Sequence, residues 1–379
     1  SPRGDSCLSA NTNSLRVKQR RGYTMKKFLS IALALLMVCV MLPVVVLADE
    51  GITTEQALKD AITAATNGAT ITLDGDIELT ATIAITAGKN LTIDLNGKTI
   101  KNGSALGTDY ILWNHGTLVL TNGSIIDSRS NVTGNCTAIR NTGTLTLDGV
   151  TATREGSIVV KNDDNDDNNA ERGTMVVRNS TISSKTVTAE GKSVAGQAIQ
   201  NWCTATIYSG TFNADVNTWS YGNVGGNTVI KGGTFNGDVN SLQYKYNNSW
   251  PIPAAKTSIE GGTINGRIGV FFQEGGQLSD TATEVPEETT KAALTVSGGT
   301  FTTDKENAEK YLEEGLKLNA NGEVVPKSTT IVITTPSEDT TPKTEDQKNP
   351  STGANDFVGL AAAAAVVALL GSAVVLRKK

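Results

Sequence analysis

A single histidine, His115, stands in 379 residues, aromatic residues make up only 5% of the chain, and charged residues only 19%. One histidine excludes a His-rich metal centre. So few charges exclude a coiled coil, whose flanking positions need them. Basic residues are scarce where a nucleic-acid binder would need them: residues 49–352 hold 23 Lys/Arg against 36 Asp/Glu, a net of −13. A surface that acidic repels phosphate backbones and anionic headgroups, so no nucleic-acid partner is expected. Of the four cysteines, Cys7 and Cys39 fall in the leader. Cys136 and Cys203 stand at different places in units about two coils apart, roughly 10 Å along a stack of coils, too far for a disulfide, so free thiols are expected.

Uncharged apolar runs are confined to the two ends. After Met25, Lys26 and Lys27 a run from Phe28 to Leu47 leads to Ala48; this is the pattern of a secretory signal peptide over 25–48, cleaved before Asp49. Residues 1–24 precede it and read as non-native or an extended leader, in which Arg3-Gly4-Asp5 is a chance triplet. From Phe357 to Leu376 a second apolar stretch has the length of a membrane span, followed by Arg377, Lys378 and Lys379 on the cytoplasmic side. Asn349-Pro350-Ser351-Thr352-Gly353 precedes the span. Over 349–379, pentapeptide, span and basic tail resemble the sorting signal of Gram-positive cell-wall proteins, with Asn349 where leucine is usual. The resemblance implies cleavage between Thr352 and Gly353 by a sortase and transfer to peptidoglycan, the membrane being crossed only before sorting. Residues 328–348, rich in Thr, Pro and charge, read as an extended wall spacer.

Between these ends the chain repeats. A Thr or Ser recurs at Thr99, Ser124, Thr151, Thr181, Thr211, Thr234, Thr263 and Thr300. An aliphatic residue stands four positions before each (Leu95, Leu120, Leu147, Val177, Ile207, Ile230, Ile259, Val296), and an apolar one directly after. Gly97, Asn122, Gly149, Asn179, Ser209, Gly232, Gly261 and Gly298 lie between, where a bend needs small residues. Each unit therefore holds short alternating strands about a tight bend. Several units open on Asn114, Asn141, Asn162 and Asn201. Repeats of this length with several strands and no helix predict an all-β fold over 49–327: a right-handed parallel β-helix, whose coils stack their apolar faces while Thr and Asn form ladders. Its ends need caps. A helix is expected over 53–66, with Thr53 and Gln56 as a capping box, Ala57, Leu58, Ala61, Ile62 and Ala65 as the apolar stripe and Gly68 ending it. A second helical patch is expected over 308–316, with Val324-Val325 closing the domain.

The opening helix, the Gly-Gly-Thr-Phe or Gly-Gly-Thr-Ile turns at 232–235, 261–264 and 298–301, and the ending Tyr311-Leu312-Glu313-Glu314-Gly315 resemble the pectate-lyase-like β-helix surface proteins of gut Firmicutes. The resemblance implies this fold over roughly 51–327. It leaves function open, since such scaffolds carry lyases, hydrolases and adhesins alike.

Enzymes on this scaffold cluster carboxylates on adjacent coils, and no adjacent units here pair two carboxylates three positions before the recurrent Thr, so no catalytic residue is assigned. His115, in a turn beside Gly116, reads as structural. Asp163, Asn165 and Asp167 imitate the start of a Ca²⁺ loop, but Asn168 and Thr174 stand where such a loop needs Gly and Glu; a solvated acidic loop and a weak Ca²⁺ site are both compatible. The scarce aromatics gather in one stretch: Trp202, Tyr208, Trp219, Tyr221, Tyr244, Tyr246, Trp250, Phe271 and Phe272, with Asn247 and Asn248 among them. Flat rings beside amides suit sugar faces, although rings also roof loops. Trp219, Tyr221, Tyr244, Tyr246 and Trp250 are the candidate ligand contacts. The expected function is a cell-wall-anchored, non-enzymatic adhesin for glycans or host matrix; a ligand-free structural spacer and a polysaccharide lyase or glycosidase are the alternatives.

Overall fold

A computed structural model gives the fold, describing residues 51–132, 137–164, 172–189, 191–274, 277–279 and 293–327. The segments expected as signal peptide (25–48), spacer (328–348) and sorting pentapeptide (Asn349 to Gly353), and the apolar run 357–376, lie outside the described residues. Among the described residues no helix is long and apolar enough to cross a membrane.

Strands of alternating residues bury one side only when a neighbour covers it, and here each coil is covered by the next. Parallel strands stack into a β-solenoid of about seven turns, the predicted parallel β-helix. The eight recurrent Thr/Ser positions fall opposite one another from coil to coil, Thr99 against Ser124 and onward to Thr263 against Thr300. The residue after each forms a buried column: Ile100, Ile125, Ala152, Ile182, Phe212, Phe235, Ile264 and Phe301. Within it the rings of Phe212 and Phe235 stack at 4.7 Å.

Two details of the repeat differ from the sequence reading. Opposite Leu120 stands Ile93 rather than Leu95. The second coil of the stack, which carries Ile93 and Thr99, has two more residues at its bend than the coil that follows it, and buried Leu95 packs there on Gly123, where any Cβ would strike it. The bend also changes form along the stack. Left-handed backbone falls at Asn122, Gly149 and Asn179, two residues before the recurrent Thr or Ser, in the earlier coils. From Gly210 on it falls one residue later, at Gly233, Gly262 and Gly299, so in each Gly-Gly pair the second glycine holds the φ that side chains avoid.

Helix α1, Glu55–Ala64, closes the N-terminal end and buries Leu58, Ala61 and Ile62 as expected. Its cap is Thr54, not Thr53: Thr54 Oγ1 accepts from the Ala57 N–H at 3.2 Å, while Gln56 donates to Asp60. Helix α2 spans Lys305–Lys310, earlier and shorter than the predicted 308–316. The chain beyond it is drawn into pairing, because Leu294–Val296 would otherwise be an open edge. Val296 N–H donates to Tyr311 O at 2.8 Å and Glu313 N–H donates to Val296 O at 2.9 Å. Leu316–Leu318 and Val324–Pro326 then form an antiparallel hairpin.

Candidate functional site

One sheet carries every feature of the site. Its central strands are Leu112–Asn114, Thr137–Asn141, Ile158–Asn162, Gln197–Asn201, Asp215–Tyr221, Val239–Tyr244 and Ile268–Glu274. Inward, Asn114, Asn141, Asn162 and Asn201 make a carboxamide ladder, each Nδ2 donating to the next Oδ1 at 2.7 Å, before Asn201 hands on to Thr228 Oγ1 at 2.8 Å. All four asparagines are fully buried.

Outward, the period of two places Trp219 and Tyr221 on the same side of their strand. Parallel register sets Tyr221 beside Tyr244 and Tyr244 beside Gln273 on three successive coils. Trp202, just past the end of its own strand, stacks on Trp219 with ring centres 5.3 Å apart and meets Tyr221 edge-on at 5.0 Å. Tyr246 meets Tyr221 edge-on at 5.5 Å. Together Trp202, Trp219, Tyr221, Tyr244, Tyr246 and Gln273 line a cleft of about 230 Å³ whose surface is almost entirely carbon.

Tyr246 reaches this cleft through a tight turn. Tyr246 and Ser249 exchange both backbone hydrogen bonds at 2.9 Å, and between them Asn247 and Asn248 have φ of 48° and 60°. Asparagine tolerates that left-handed backbone, so the two residues serve the turn. Trp250 does not line the cleft. It is only 8% exposed and packs edge-on against Phe272 at 5.6 Å, with the Lys245 ammonium 5.5 Å from its ring. Four of the five candidate contacts are therefore brought together with Trp202 and Gln273, while Trp250 supports the turn from behind. A lone glutamine on a strand carries no sequence signal. Only the register reveals Gln273.

A second, polar cleft of about 370 Å³ is lined by Lys89, His115, Thr142 and Arg172 among turn glycines. His115 is held there by its neighbours, with Nδ1 2.9 Å from Thr142 Oγ1 and its ring 4.3 Å from that of Trp113. Arg172 donates to the carbonyls of Trp202 and Gly225, both at 2.9 Å. Between the clefts, Asp163 pairs with Arg140 at 3.1 Å and Lys161 at 2.7 Å. Burial, and next the charge of Asp163, raise the Asp164 carboxyl above its usual range. Asn165 and Asp167 lie outside the described residues. No group of three or more His, Cys, Asp or Glu residues among the described ones is arranged to hold a metal. Cys203 is a buried free thiol, pushed up to about 11 by burial, while Cys136 lies outside the described residues. No family model, curated protein or solved structure matches the chain.

Proposed function

We propose that this chain is a non-enzymatic surface β-solenoid that binds glycans through the aromatic cleft and is attached to the Gram-positive cell wall through its C-terminal sorting signal. The observation that carries the reading is the convergence of five rings and one amide from four successive coils and a turn into one open cleft. Sugar rings present C–H faces to aromatic rings while their hydroxyls bond to amides and phenols, and the cleft offers that combination. Anchoring by a sortase to peptidoglycan, with passage through the membrane before sorting, follows from the resemblance of 349–379. The reading calls for no cofactor. The test is retention of the full chain on an array of plant, mucin and microbial glycans with host matrix proteins included. Retention on a glycan, weakened by replacing Tyr244 and Tyr246 with alanine, supports it. A blank array favours the ligand-free spacer; retention on matrix protein alone, unaffected by the replacements, removes the cleft from the function.

A further inference from the structure

The cleft's chemistry limits which sugar it takes. Neither tryptophan turns a donor toward a ligand: Trp202 Nε1 donates to Gln200 Oε1 at 3.0 Å, and Trp219 Nε1 is buried with no partner among the described residues. Both indoles therefore present carbon faces, leaving Gln273 and the tyrosine hydroxyls as the polar groups of the lining. The nearest cations are already engaged. Lys161, 5.9 Å from the centre of the Trp202 ring, pairs with Asp163 at 2.7 Å, and Lys245, between Tyr244 and Tyr246 in the chain, pairs with Glu274 at 2.7 Å. A carboxylate or sulfate entering this cleft would lose hydration without gaining an unpaired cation, against the acidic field of the domain. The volume, about 230 Å³, suits one pyranose ring.

Resting on the glycan reading above, we infer that the cleft takes one neutral galacto-configured hexose, its 6-deoxy form included, laid with its carbon face on the rings. An axial O4 gathers the hydrogens of carbons 3, 4 and 5 into one apolar patch. In gluco configuration the hydrogen on carbon 4 points to the opposite face from those on carbons 3 and 5, dividing the patch. A nearly all-carbon cleft discriminates by that continuous patch, while Gln273 and the tyrosine hydroxyls meet the hydroxyls at its rim.

The test titrates the full chain with methyl β-galactoside, methyl α-fucoside, methyl β-glucoside and methyl β-glucuronoside, following tryptophan fluorescence and saturation-transfer NMR. The expected result is galactoside and fucoside binding with Kd on the order of 1 mM, about fivefold tighter than glucoside, with glucuronoside weakest. Saturation is strongest on the protons of carbons 3 to 5. Tyr246→Ala, at a side chain 47% exposed and so cheap to remove, weakens the galactoside about fivefold and leaves the unfolding transition in place. Glucoside binding as tight as galactoside, or glucuronoside binding tighter, overturns this inference and leaves the glycan reading standing. Binding of none of the four overturns the inference, and if the array is also blank the glycan reading falls with it.

Discussion

Asn162 donates its carboxamide N–H to Oδ1 of Asn201 across 2.7 Å in the closed interior of the solenoid, and accepts from Asn141 at the same distance. Its Nδ2 also reaches the carbonyls of Gly173 and Thr204. Every polar atom of that side chain is thus engaged where no water competes.

Asn162→Leu removes the 2.7 Å bonds to Asn141 and Asn201 together with those to the Gly173 and Thr204 carbonyls, all in the closed interior, so a loss of about 3 kcal/mol is expected. Asn213 forms a similar ladder on the exposed side, donating to Ser183 and accepting from Asn236. There water replaces the lost bonds, and Asn213→Ala costs about 0.5 kcal/mol. Urea denaturation of both variants checks the contrast; equal losses would refute an internal ladder.

Gly262 has φ +95°, and a Cβ there would lie 2.9 Å from Gly233 O, while Gly88, at φ +82°, has open space around it. Gly88→Ala therefore carries only the conformational cost, about 1 kcal/mol, and Gly262→Ala about 2–3 kcal/mol because the coil spacing must also give. The two denaturation midpoints should differ in that order.

Glu55 ties α1 to the first coil, accepting from Thr80 N–H at 2.6 Å, Thr80 Oγ1 at 2.8 Å and Ala81 N–H at 3.2 Å. Burial alone would raise its pKa, but the bonds from Lys59 and Thr80 outweigh it and hold the carboxyl at about 2. A folded pKa below the unfolded 4.5 means this stabilisation is present above pH 4.5 and is lost as pH falls toward about 2. Glu55→Gln should cost about 1–2 kcal/mol at pH 7 and little at pH 2, measured as the difference in thermal midpoint from the unmodified chain across that range.

Phe235 fills the internal column with 0% exposure against Phe212. Phe235→Ala opens a cavity between two coils, and the expected loss is about 3–5 kcal/mol. A loss under 1 kcal/mol in urea unfolding would mean that the coils collapse around the gap.

The stacking order was readable because eight Thr/Ser positions mark it, each followed by an apolar side chain that only the interior can accept. What the pattern did not reveal are the places where neighbours decide. Leu95 keeps the spacing of its counterparts yet sits in an enlarged bend, because Ile93 already fills the place opposite Leu120. Trp250 looks in sequence like Trp219, but the Asn247-Asn248 turn folds it beneath the surface, against Phe272. Tyr221 and Tyr244 were visible as aromatics; their meeting with Gln273 depends on coil register, which no local signal carries. At the C-terminal end, helix propensity across 308–316 gave way to an edge strand that needed a partner.

Along Asp215–Tyr221, Thr218 and Ser220 face the interior while Trp219 and Tyr221 face the cleft. Two alphabets are thus interleaved over the last four residues of one strand, Thr218 and Ser220 answering to folding and Trp219 and Tyr221 to the open side. Descendants of such a chain can rewrite the second set, one coil at a time, and inherit the first unchanged.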